Sequence, residues 1–471
     1  MKAILGTLLI LLLHPSTYAA PLRAGAHATD VSPREFPLNM PGGWRGNRAD
    51  KVHDPLHARA LVLSDGSTQV AMVVVDNLGL APEVNNEAKA IAQKATGIPP
   101  ANMLICATHT HTAPGSNSTE GPAPATAYRK LLITGIADSI IQAHGKLQSA
   151  RIGFAAQPLP TEVFNRRWHL KPGKMPLNPF GKMDRVKMNP SRSAGTLDRP
   201  AGPTDPDITV LSVRDGKNKP LCLFANYALH YVGAIPRGMI SADYFGEFAR
   251  LMPTRLNADE RFVSMMSNGA SGDINNIPFT ATRAPREPFE QVRTVAQGAA
   301  DTAWQAYKAI DEYATEVPLG MIERDIALKY RKPTAQQIEW AKDILAIEDE
   351  GQRKKLPQHA ESYARRAMVA AKRPDTLTAK LQAIRIGDFA AVGIPFETLV
   401  EIGIELKEKS PFARTMVIGL ANGRHGYLPT PKQHKLGGYE TWLGTCNVQR
   451  DASEIVTAHL LEMLNELHSS N

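Results

Sequence analysis

Short apolar runs of strand length alternate with helical segments along most of the chain, and this alternation constrains the fold more than any other feature. One pair of runs encloses Asp65-Gly66 and another encloses Gly387-Asp388, and both dipeptides are typical of hairpin turns. Residues 82–96 and 128–144 have the apolar spacing of helices. Interleaved strands and helices predict an α/β fold, which we expect to be one large mixed α/β domain with β-sheets flanked by helices.

The chain is 471 residues long, a length at which many proteins divide into two domains. Its most irregular stretch, residues 168–206, is rich in Pro, Gly, Lys and Arg and lacks a clear period. Strand and helix patterns continue on both sides of it, so we interpret it as a long basic loop rather than a linker. Loops of this length often form lids or rims of sites. We therefore predict one catalytic domain over residues 20–471.

The first 19 residues have the pattern of a signal peptide. Lys2 supplies a positive start, residues 4–13 are apolar, and Ala19 precedes a plausible cleavage point. The apolar run is shorter than the roughly 20 residues that a membrane span needs, and no second long apolar segment follows. The pattern predicts a secreted or periplasmic protein without stable membrane insertion.

Composition narrows the class of partner. The chain is 43% hydrophobic and 21% charged, which is typical of a globular protein, and its net charge is +8. The basic residues are scattered and no nucleic-acid recognition motif is present, so we expect no nucleic-acid partner. Cys106, Cys222 and Cys446 are too few for a disulfide framework, and buried thiols are expected, with one bridge left open.

The strongest chemical signal is the motif His109-Thr110-His111. It follows an apolar strand candidate, residues 103–107, and precedes Pro114-Gly115, which would end the strand. In an extended chain, side chains two residues apart point to the same face, so both imidazoles could approach one metal ion. Alternatively, one would bind the metal while the other acts beside it, or the pair would be ordinary surface or core histidines.

Four further features are ambiguous when each is taken alone. His230 follows the apolar run 221–229, where a lone histidine is more often a core residue. Residues 267–276 are rich in Gly, Asn and Asp, which suits either an oxyanion hole or an ordinary polar loop. Glu397 begins a likely helix after a buried strand, where an acid is also normal for dipole reasons. Tyr427 and Tyr439 lie on glycine-flanked loops, where tyrosines are common packing residues.

Taken together, these segments resemble the neutral ceramidases, the zinc-dependent neutral/alkaline non-lysosomal type. The resemblance extends from about Ala28 to Thr441 and is specific only as a combination. The matching segments are 58–60, 107–115, 165–166, His230, 240–246, 268–275, 395–397, 426–427 and 439–440.

The resemblance implies zinc as the cofactor and assigns a role to each residue. Its implied metal ligands are His109, His230, Glu397 and Tyr427. His111 would lie beside the metal, and Arg166 and Tyr439 would line the pocket and stabilise the developing oxyanion. In the glycine-rich loop, the candidate substrate-binding residues are Asn268, Asp273 and Asn275. Zinc bound by imidazole and carboxylate lowers the pKa of its water towards about 7, which permits attack on an amide carbonyl.

Two departures from the family pattern affect the substrate. Ceramidases have a serine after the Gly-Asp of the loop, whereas here Gly272-Asp273-Ile274 is followed by Asn275, and Ser271 is out of register. Ceramidases also carry a C-terminal immunoglobulin-like domain, whereas this chain ends with one helix soon after Tyr439. We expect the bacterial ceramidase-like short form, without that domain.

Three functions therefore remain open. The first is a zinc amidase that acts on ceramide or another N-acyl lipid. The second is a zinc hydrolase of a non-lipid amide or ester, such as a glycan or cell-wall fragment, and the third is a non-catalytic metal-binding protein on the same fold. For each of these functions we expect a small-molecule or lipid partner. The sequence does not indicate an oligomeric state.

Overall fold

Two β-sheets stacked face to face, each covered on its outer side by helices, form the framework of the computed structural model. The structure describes residues 21–43, 47–116, 123–193, 195–281, 284 and 286–470. The predicted signal peptide, residues 1–19, lies outside the described residues.

The helices of the described part follow the chain from the first third to its end. They are α1 (Pro82–Thr96), α2 (Ala123–Gly145), α3 (Asp243–Leu256), α4 (Glu290–Lys308), α5 (Ala335–Ala346), α6 (Glu350–Lys355), α7 (Ala360–Ala371), α8 (Val400–Lys409), α9 (Pro431–Leu436) and α10 (Ala452–Ser469). Short 3₁₀ turns cover Pro100–Asn102, Pro160–Glu162 and Tyr439–Thr441.

The strands of the described part range from two to eleven residues. In chain order they are β1 (Arg23–Asp30), β2 (Leu38–Met40), β3 (Asn47–Ala49), β4 (Lys51–Val52), β5 (His57–Ser64), β6 (Gln69–Val75), β7 (Met103–Ala107), β8 (Gln148–Pro158), β9 (Phe164–Asn165), β10 (Arg167–Leu170), β11 (Lys187–Met188), β12 (Leu197–Pro200), β13 (Asp207–Asp215), β14 (Pro220–Tyr227), β15 (Met239–Ile240), β16 (Val263–Asn268), β17 (Ile274–Asn275), β18 (Leu319–Lys329), β19 (Thr376–Ile386), β20 (Phe389–Ile394), β21 (Glu397–Thr398), β22 (Arg414–Gly419) and β23 (Tyr427–Leu428).

The larger sheet has eight strands in the order β16-β14-β13-β8-β1-β5-β6-β7. Its central pairs are antiparallel, but the pairs at its two edges, β14 with β16 and β6 with β7, are parallel. The smaller sheet has the order β18-β19-β20-β22, and its edge pair, β20 with β22, is also parallel. Parallel pairing brings the carboxyl ends of two strands to the same sheet edge, which is where sites form in α/β folds.

Alternation along the strands explains the layers. On β5, Leu61 and Leu63 face the smaller sheet, where they join the core that contains Ile384 of β19. Their neighbours Ala60 and Val62 face outwards and pack with α1 and α2. Helices α3 and α4 cover the other half of the larger sheet, and α8 and α10 cover the smaller one. The predicted mixed α/β fold with flanked sheets is confirmed, and the described residues contain no immunoglobulin-like sandwich.

Local patterns predicted several elements closely. The expected hairpins are present as β5–β6 and β19–β20. Helix α1 spans Pro82–Thr96 and is closed by Gly97, whose φ of +78° falls in the left-handed region that favours glycine. Strand β7 covers Met103–Ala107, as its apolar run predicts.

The segment 168–206 differs from the expected loop. It is largely irregular, but β10 pairs with β11 and β12 to form a small three-stranded sheet. These strands have two to four residues each, which is too short for a periodic pattern to be recognised in the sequence.

The three cysteines and the hydropathy of the helices give two simpler results. Cys106, Cys222 and Cys446 are buried free thiols, as the default interpretation of the sequence predicts. No helix in the described part of the chain is both long and apolar enough to cross a membrane.

Candidate metal centre

The candidate site lies where the edges of the two sheets meet. The backbone of Ala107, at the end of β7, donates to Leu420 beyond the end of β22, at 3.3 Å. The backbone of Asn422 donates back to Ile105 at 2.8 Å. Strand β22 also pairs with β20 and contacts β14, so the loops that follow β7, β14, β20 and β22 lie near one another and carry predicted site residues.

His109 and His111 come together through a turn rather than through an extended strand. Strand β7 ends at Ala107, and His109 has a φ of +71°, which is strained for a residue other than glycine. The Nε2 atoms of the two histidines lie 3.3 Å apart. The expected proximity is present, but the extended-chain reason given for it is wrong, because the left-handed backbone at His109 turns the chain at this point.

Carbonyl groups fix the orientation of two of the imidazoles. His109 Nδ1 lies 2.6 Å from the carbonyl oxygen of Leu78, and His230 Nδ1 lies 3.0 Å from that of Ser271. A carbonyl only accepts, so each Nδ1 is the donor and each Nε2 keeps a lone pair. Such contacts are the usual outer support of metal-binding histidines, and here they direct both Nε2 atoms into the same space.

Glu397 and Tyr427 are brought together by the short parallel pairing of β21 with β23, in which they are direct partners. Glu397 Oε2 lies 3.3 Å from His109 Nε2 and 3.9 Å from His230 Nε2. Both residues are buried, with 7% and 6% of their surface exposed. Neighbouring strand ends thus place two histidines, a carboxylate and a phenol around one point.

The donor set fits a zinc ion. Ligand atoms held at 2.0–2.1 Å in a tetrahedron are about 3.3 Å apart, which matches the separation from His109 Nε2 to Glu397 Oε2. His230 Nε2 and Glu397 Oε2 are buried and have no hydrogen-bond partner, an arrangement that is costly unless an ion takes both lone pairs. His109, His111 and His230 also form a cluster whose ligand atoms all lie within 4.8 Å of one another.

Burial favours the protonation states that metal binding requires. Loss of hydration lowers the pKa of His111 and of His230 well below the usual value, so both imidazoles are neutral at neutral pH. Burial by itself would raise the pKa of Glu397, but the adjacent His109 and His230 outweigh it and lower that pKa. Glu397 is consequently a carboxylate.

Arg166 is held against the cluster by the glycine-rich loop. Its backbone donates to Asp273 at 2.8 Å, next to the pairing of β9 with β17. Its guanidinium donates to Glu440 at 2.9 Å and to the hydroxyl of Tyr427 at 3.0 Å. Burial lowers the pKa of Arg166, but Tyr427 and Glu440 more than offset this, so the guanidinium remains charged.

Tyr439 lies on the other side of Tyr427. The two ring centroids are 5.4 Å apart at 71°, an edge-to-face contact. Burial raises the pKa of Tyr439 to about 12, so its hydroxyl is protonated at neutral pH. The predicted pair Arg166 and Tyr439 thus flanks the candidate ligand Tyr427.

The glycine-rich loop mostly supports the site from behind. Asp273 is fully buried, and its two oxygens accept from the backbone of Val400 and the side chain of Asn165. Asn268, 3% exposed, accepts from Ser271 at 2.7 Å. A Cβ on Gly272 would lie 2.7 Å from the carbonyl oxygen of Glu397, so only glycine permits this approach. The substrate-binding role of Asn268 and Asp273 remains a prediction, and their burial favours an indirect form of it.

Asn275 is the loop residue that reaches a cavity. It lines a space of about 390 Å³ together with Arg166 and His230. Its side-chain amide donates to Asn189 at 2.5 Å, and its oxygen accepts from the backbone of Ile277 at 2.9 Å. These two hydrogen bonds leave one amide hydrogen of Asn275, and its substrate-binding role remains a prediction.

Sequence reasoning missed several contacts of the cluster. Tyr231 stacks on His111 with ring centroids 3.6 Å apart, and Leu78 and Ser271 supply the carbonyls that orient His109 and His230. Glu440 was recognised only as part of a motif, although it anchors Arg166. Tyr231 directly follows His230 in the chain, so the sequence could have indicated an aromatic residue beside the site. The carbonyl contacts come from the backbone and cannot be recognised from residue types.

Comparison with known proteins identifies the family. The model of the N-terminal part of the neutral/alkaline non-lysosomal ceramidases matches residues 24–284, more than half of the chain. The structure is similar to that of the neutral ceramidase from Pseudomonas aeruginosa, with a TM-score of 0.72 and 16% identity over 95% of this chain and 74% of that one.

A ceramidase complexed with C2 is similar to the same extent, with a TM-score of 0.71 and 16% identity over 95% of this chain and 75% of the other. At this identity the two structures establish the fold alone. No curated protein sequence adds a match. The family match nonetheless covers the histidine motif, His230 and the glycine-rich loop, and the chain belongs to the neutral/alkaline non-lysosomal ceramidase family.

Proposed function

We propose that this protein is a secreted zinc-dependent hydrolase that cleaves an amide bond, with ceramide or another N-acyl lipid as the substrate class. The proposal includes export by residues 1–19 and a single catalytic domain over residues 20–471. Membership of the ceramidase family supports a hydrolase. The observation that carries the metal assignment is the pair of buried, unpartnered ligand atoms, His230 Nε2 and Glu397 Oε2, beside His109 Nε2.

His109, His230, Glu397 and Tyr427 would hold the ion. When bound, zinc supplies a Lewis acid that polarises a carbonyl and lowers the pKa of a coordinated water to about 7. The carbonyls of Leu78 and Ser271 keep the Nδ1 atoms of His109 and His230 protonated, and this keeps their Nε2 atoms aimed at the metal position.

The remaining residues bind and orient the substrate amide. His111, neutral because of its burial and fixed by its stack on Tyr231, has an imidazole that can take up a proton beside the scissile bond. The protonated hydroxyl of Tyr439 donates to the carbonyl oxygen as negative charge develops there. Arg166 orients Tyr427 through its 3.0 Å hydrogen bond and adds positive charge next to the same oxygen.

A cavity beside Tyr439 supports an apolar portion of the substrate. It has a volume of about 780 Å³, and Met175, Leu177, Met188 and Trp442 are among its lining residues. Leu177 is 54% exposed, although an apolar side chain of this size is usually buried. An acyl chain placed there would extend towards Tyr439 and bring its carbonyl near the candidate cluster.

The test is a hydrolase screen of zinc-loaded protein against N-acyl lipids and hydrophilic amides and esters, with release of the acid as the readout. We expect turnover of an N-acyl lipid that a chelator abolishes and that His109→Ala lacks. The matched control is His434→Ala, which removes a half-buried histidine from α9 and should retain activity. Turnover of hydrophilic substrates alone would favour the non-lipid hydrolase, and bound metal without any turnover would favour the non-catalytic alternative.

A further inference from the structure

The cavity that opens directly onto the candidate metal cluster combines basic and amide side chains with the apolar residues Val232, Ile277, Pro278 and Ala284. It has a volume of about 390 Å³, and its inner wall contains Arg166, His230 and Tyr231. Its outer wall contains Arg192 and Arg286, both of which are exposed. The amide-bearing residues are Asn189, Asn275, Asn276 and Gln291. No carboxylate is among the described residues that line this cavity.

The nearby acids do not neutralise this wall. Glu440 accepts from Arg166 and also from Arg167, so one carboxylate faces two guanidinium groups. Glu162 is the acid behind the outer wall, and it accepts hydrogen bonds from the side chains of Asn276 and Gln291. Both carboxylates are thus committed to neighbouring groups, and Glu287, which follows Arg286 in the chain, is not among the described residues that line the cavity.

The two cavities beside the cluster differ in chemistry but share a boundary. Asn189 lines both of them, and its backbone donates to the carbonyl of Arg166 at 2.8 Å. The larger cavity offers Met, Leu, Pro and Trp side chains beside polar ones such as Asp184 and Lys187, whereas the smaller one offers guanidinium and amide donors. A ligand that spans both would need an apolar part, a polar junction near the cluster and an acceptor-rich end.

We propose that Arg192 and Arg286 form an anion-binding subsite, and that the substrate is an amide with an apolar acyl chain and an anionic group on its amine portion, as in an N-acyl amino acid. The inference rests on the proposed hydrolase function and names its substrate class. Guanidinium groups bind carboxylate and sulfonate oxygens through paired donors, and an anion between two arginines also relieves their mutual repulsion. A second hydrocarbon chain, as in ceramide, would leave the two guanidinium groups without an anion, although Val232, Ile277, Pro278 and Ala284 also line this cavity.

The experiment compares amides that share one acyl chain. N-dodecanoylglycine carries a carboxylate, N-dodecanoyltaurine carries a sulfonate, and N-dodecanoylglycinamide is neutral but of similar size. We expect kcat/KM for at least one anionic amide to exceed that for the neutral amide by about tenfold or more, a preference that should shrink at high salt. The anionic amide with the higher kcat/KM shows whether the subsite prefers a carboxylate or a sulfonate.

The subsite is assigned with a double substitution, Arg192→Gln together with Arg286→Gln. It should bring the ratio of kcat/KM for anionic over neutral amide close to one. The control, Arg34→Gln with Arg250→Gln, removes the same charge from exposed positions outside the cavity and should keep the ratio of the unsubstituted protein. Equal loss of preference in both double variants would overturn the subsite, because it would make the effect one of net charge.

Calorimetric binding of the same amides separates failure of the subsite from failure of the proposed function. Tighter binding of an anionic amide that depends on Arg192 and Arg286, without turnover of any amide, would support the subsite and contradict the hydrolase. Turnover with equal kcat/KM and equal affinity for all three amides would contradict the subsite and leave the hydrolase supported.

Discussion

Two buried polar clusters lie side by side in this protein, one around Glu440 and the other around Glu397. Glu440 is fully buried, and its two oxygens accept from Arg166 at 2.9 Å and from Arg167 at 2.5 Å. Arg167 also donates to Gln433 at 3.0 Å, so the network is closed within the chain. In the second cluster, Glu397 Oε2 and His230 Nε2 are equally inaccessible but have no hydrogen-bond partner.

This difference distinguishes a structural network, around Glu440, from a candidate functional site, around Glu397. An unsatisfied buried polar atom costs about 1–3 kcal/mol, so two atoms of metal-ligand type left without a partner beside His109 Nε2 favour a group that completes them. The Glu440 network is complete and holds the segment on both sides of Tyr439 to the strand that carries Arg167. The Glu397 cluster would be completed by a cation, and its strained residue, His109, is of the kind that accumulates at active sites.

The largest predicted effect is loss of folding stability from Glu440→Ala. The substitution leaves two buried guanidinium groups without their carboxylate, which should lower the free energy of unfolding by about 3–5 kcal/mol. Chemical denaturation of the metal-free protein measures this value. Glu454→Ala, at the exposed start of α10, is the control and should cost little. A loss below about 1 kcal/mol for Glu440→Ala would show that the network is not structural.

The next effect is stabilisation by zinc, which should require the second cluster only. A ligand at a free concentration of 100 times its Kd stabilises the folded state by about 2.7 kcal/mol, so zinc should raise the Tm of the metal-free protein. Glu397→Gln removes a charged ligand and should abolish most of this increase. Gln433→Glu, which alters the Glu440 network without touching the cluster, serves as the comparison and should keep it. An undiminished increase in Glu397→Gln would place zinc elsewhere.

The smallest effect concerns the position at which this chain departs from the family pattern. Asn275→Ser loses the hydrogen bond to Asn189 and should lower the free energy of unfolding by about 1 kcal/mol, without loss of zinc. If the glycine-rich loop contributes to substrate preference, the ratio of ceramide hydrolysis to N-acyl amino acid hydrolysis should rise in this variant. An unchanged ratio would show that residue 275 does not determine the substrate.

The sequence predicted elements whose causes are local. The hairpins at Gly66 and Gly387 and helix α1 follow from turn chemistry and apolar spacing, and all of them are present. The stacking of the two sheets could not be predicted from the sequence. The alternation of side chains on β5 shows that the strand has two buried faces, but not which element packs on each face. The strands within residues 168–206 were missed because their pairing is non-local and each strand is very short.

The candidate site could be assembled from the sequence only through the family resemblance. Glu397 and Tyr427 are separated by 29 residues and meet through a two-residue bridge that no local pattern indicates. The turn at His109 and the carbonyl of Leu78 depend on the contact between sheet edges. The basic cavity likewise arises from Arg166, Arg192 and Arg286, which come from three separate loops.

The central claim is that His109, His230 and Glu397 share one zinc ion, and the metal content of the purified protein tests it most directly. After zinc loading and dialysis, mass spectrometry of the metals should find about one zinc per chain in the unsubstituted protein and in His434→Ala. His109→Ala should contain almost none. A full equivalent of zinc retained by His109→Ala, or no zinc in the unsubstituted protein, would contradict the account.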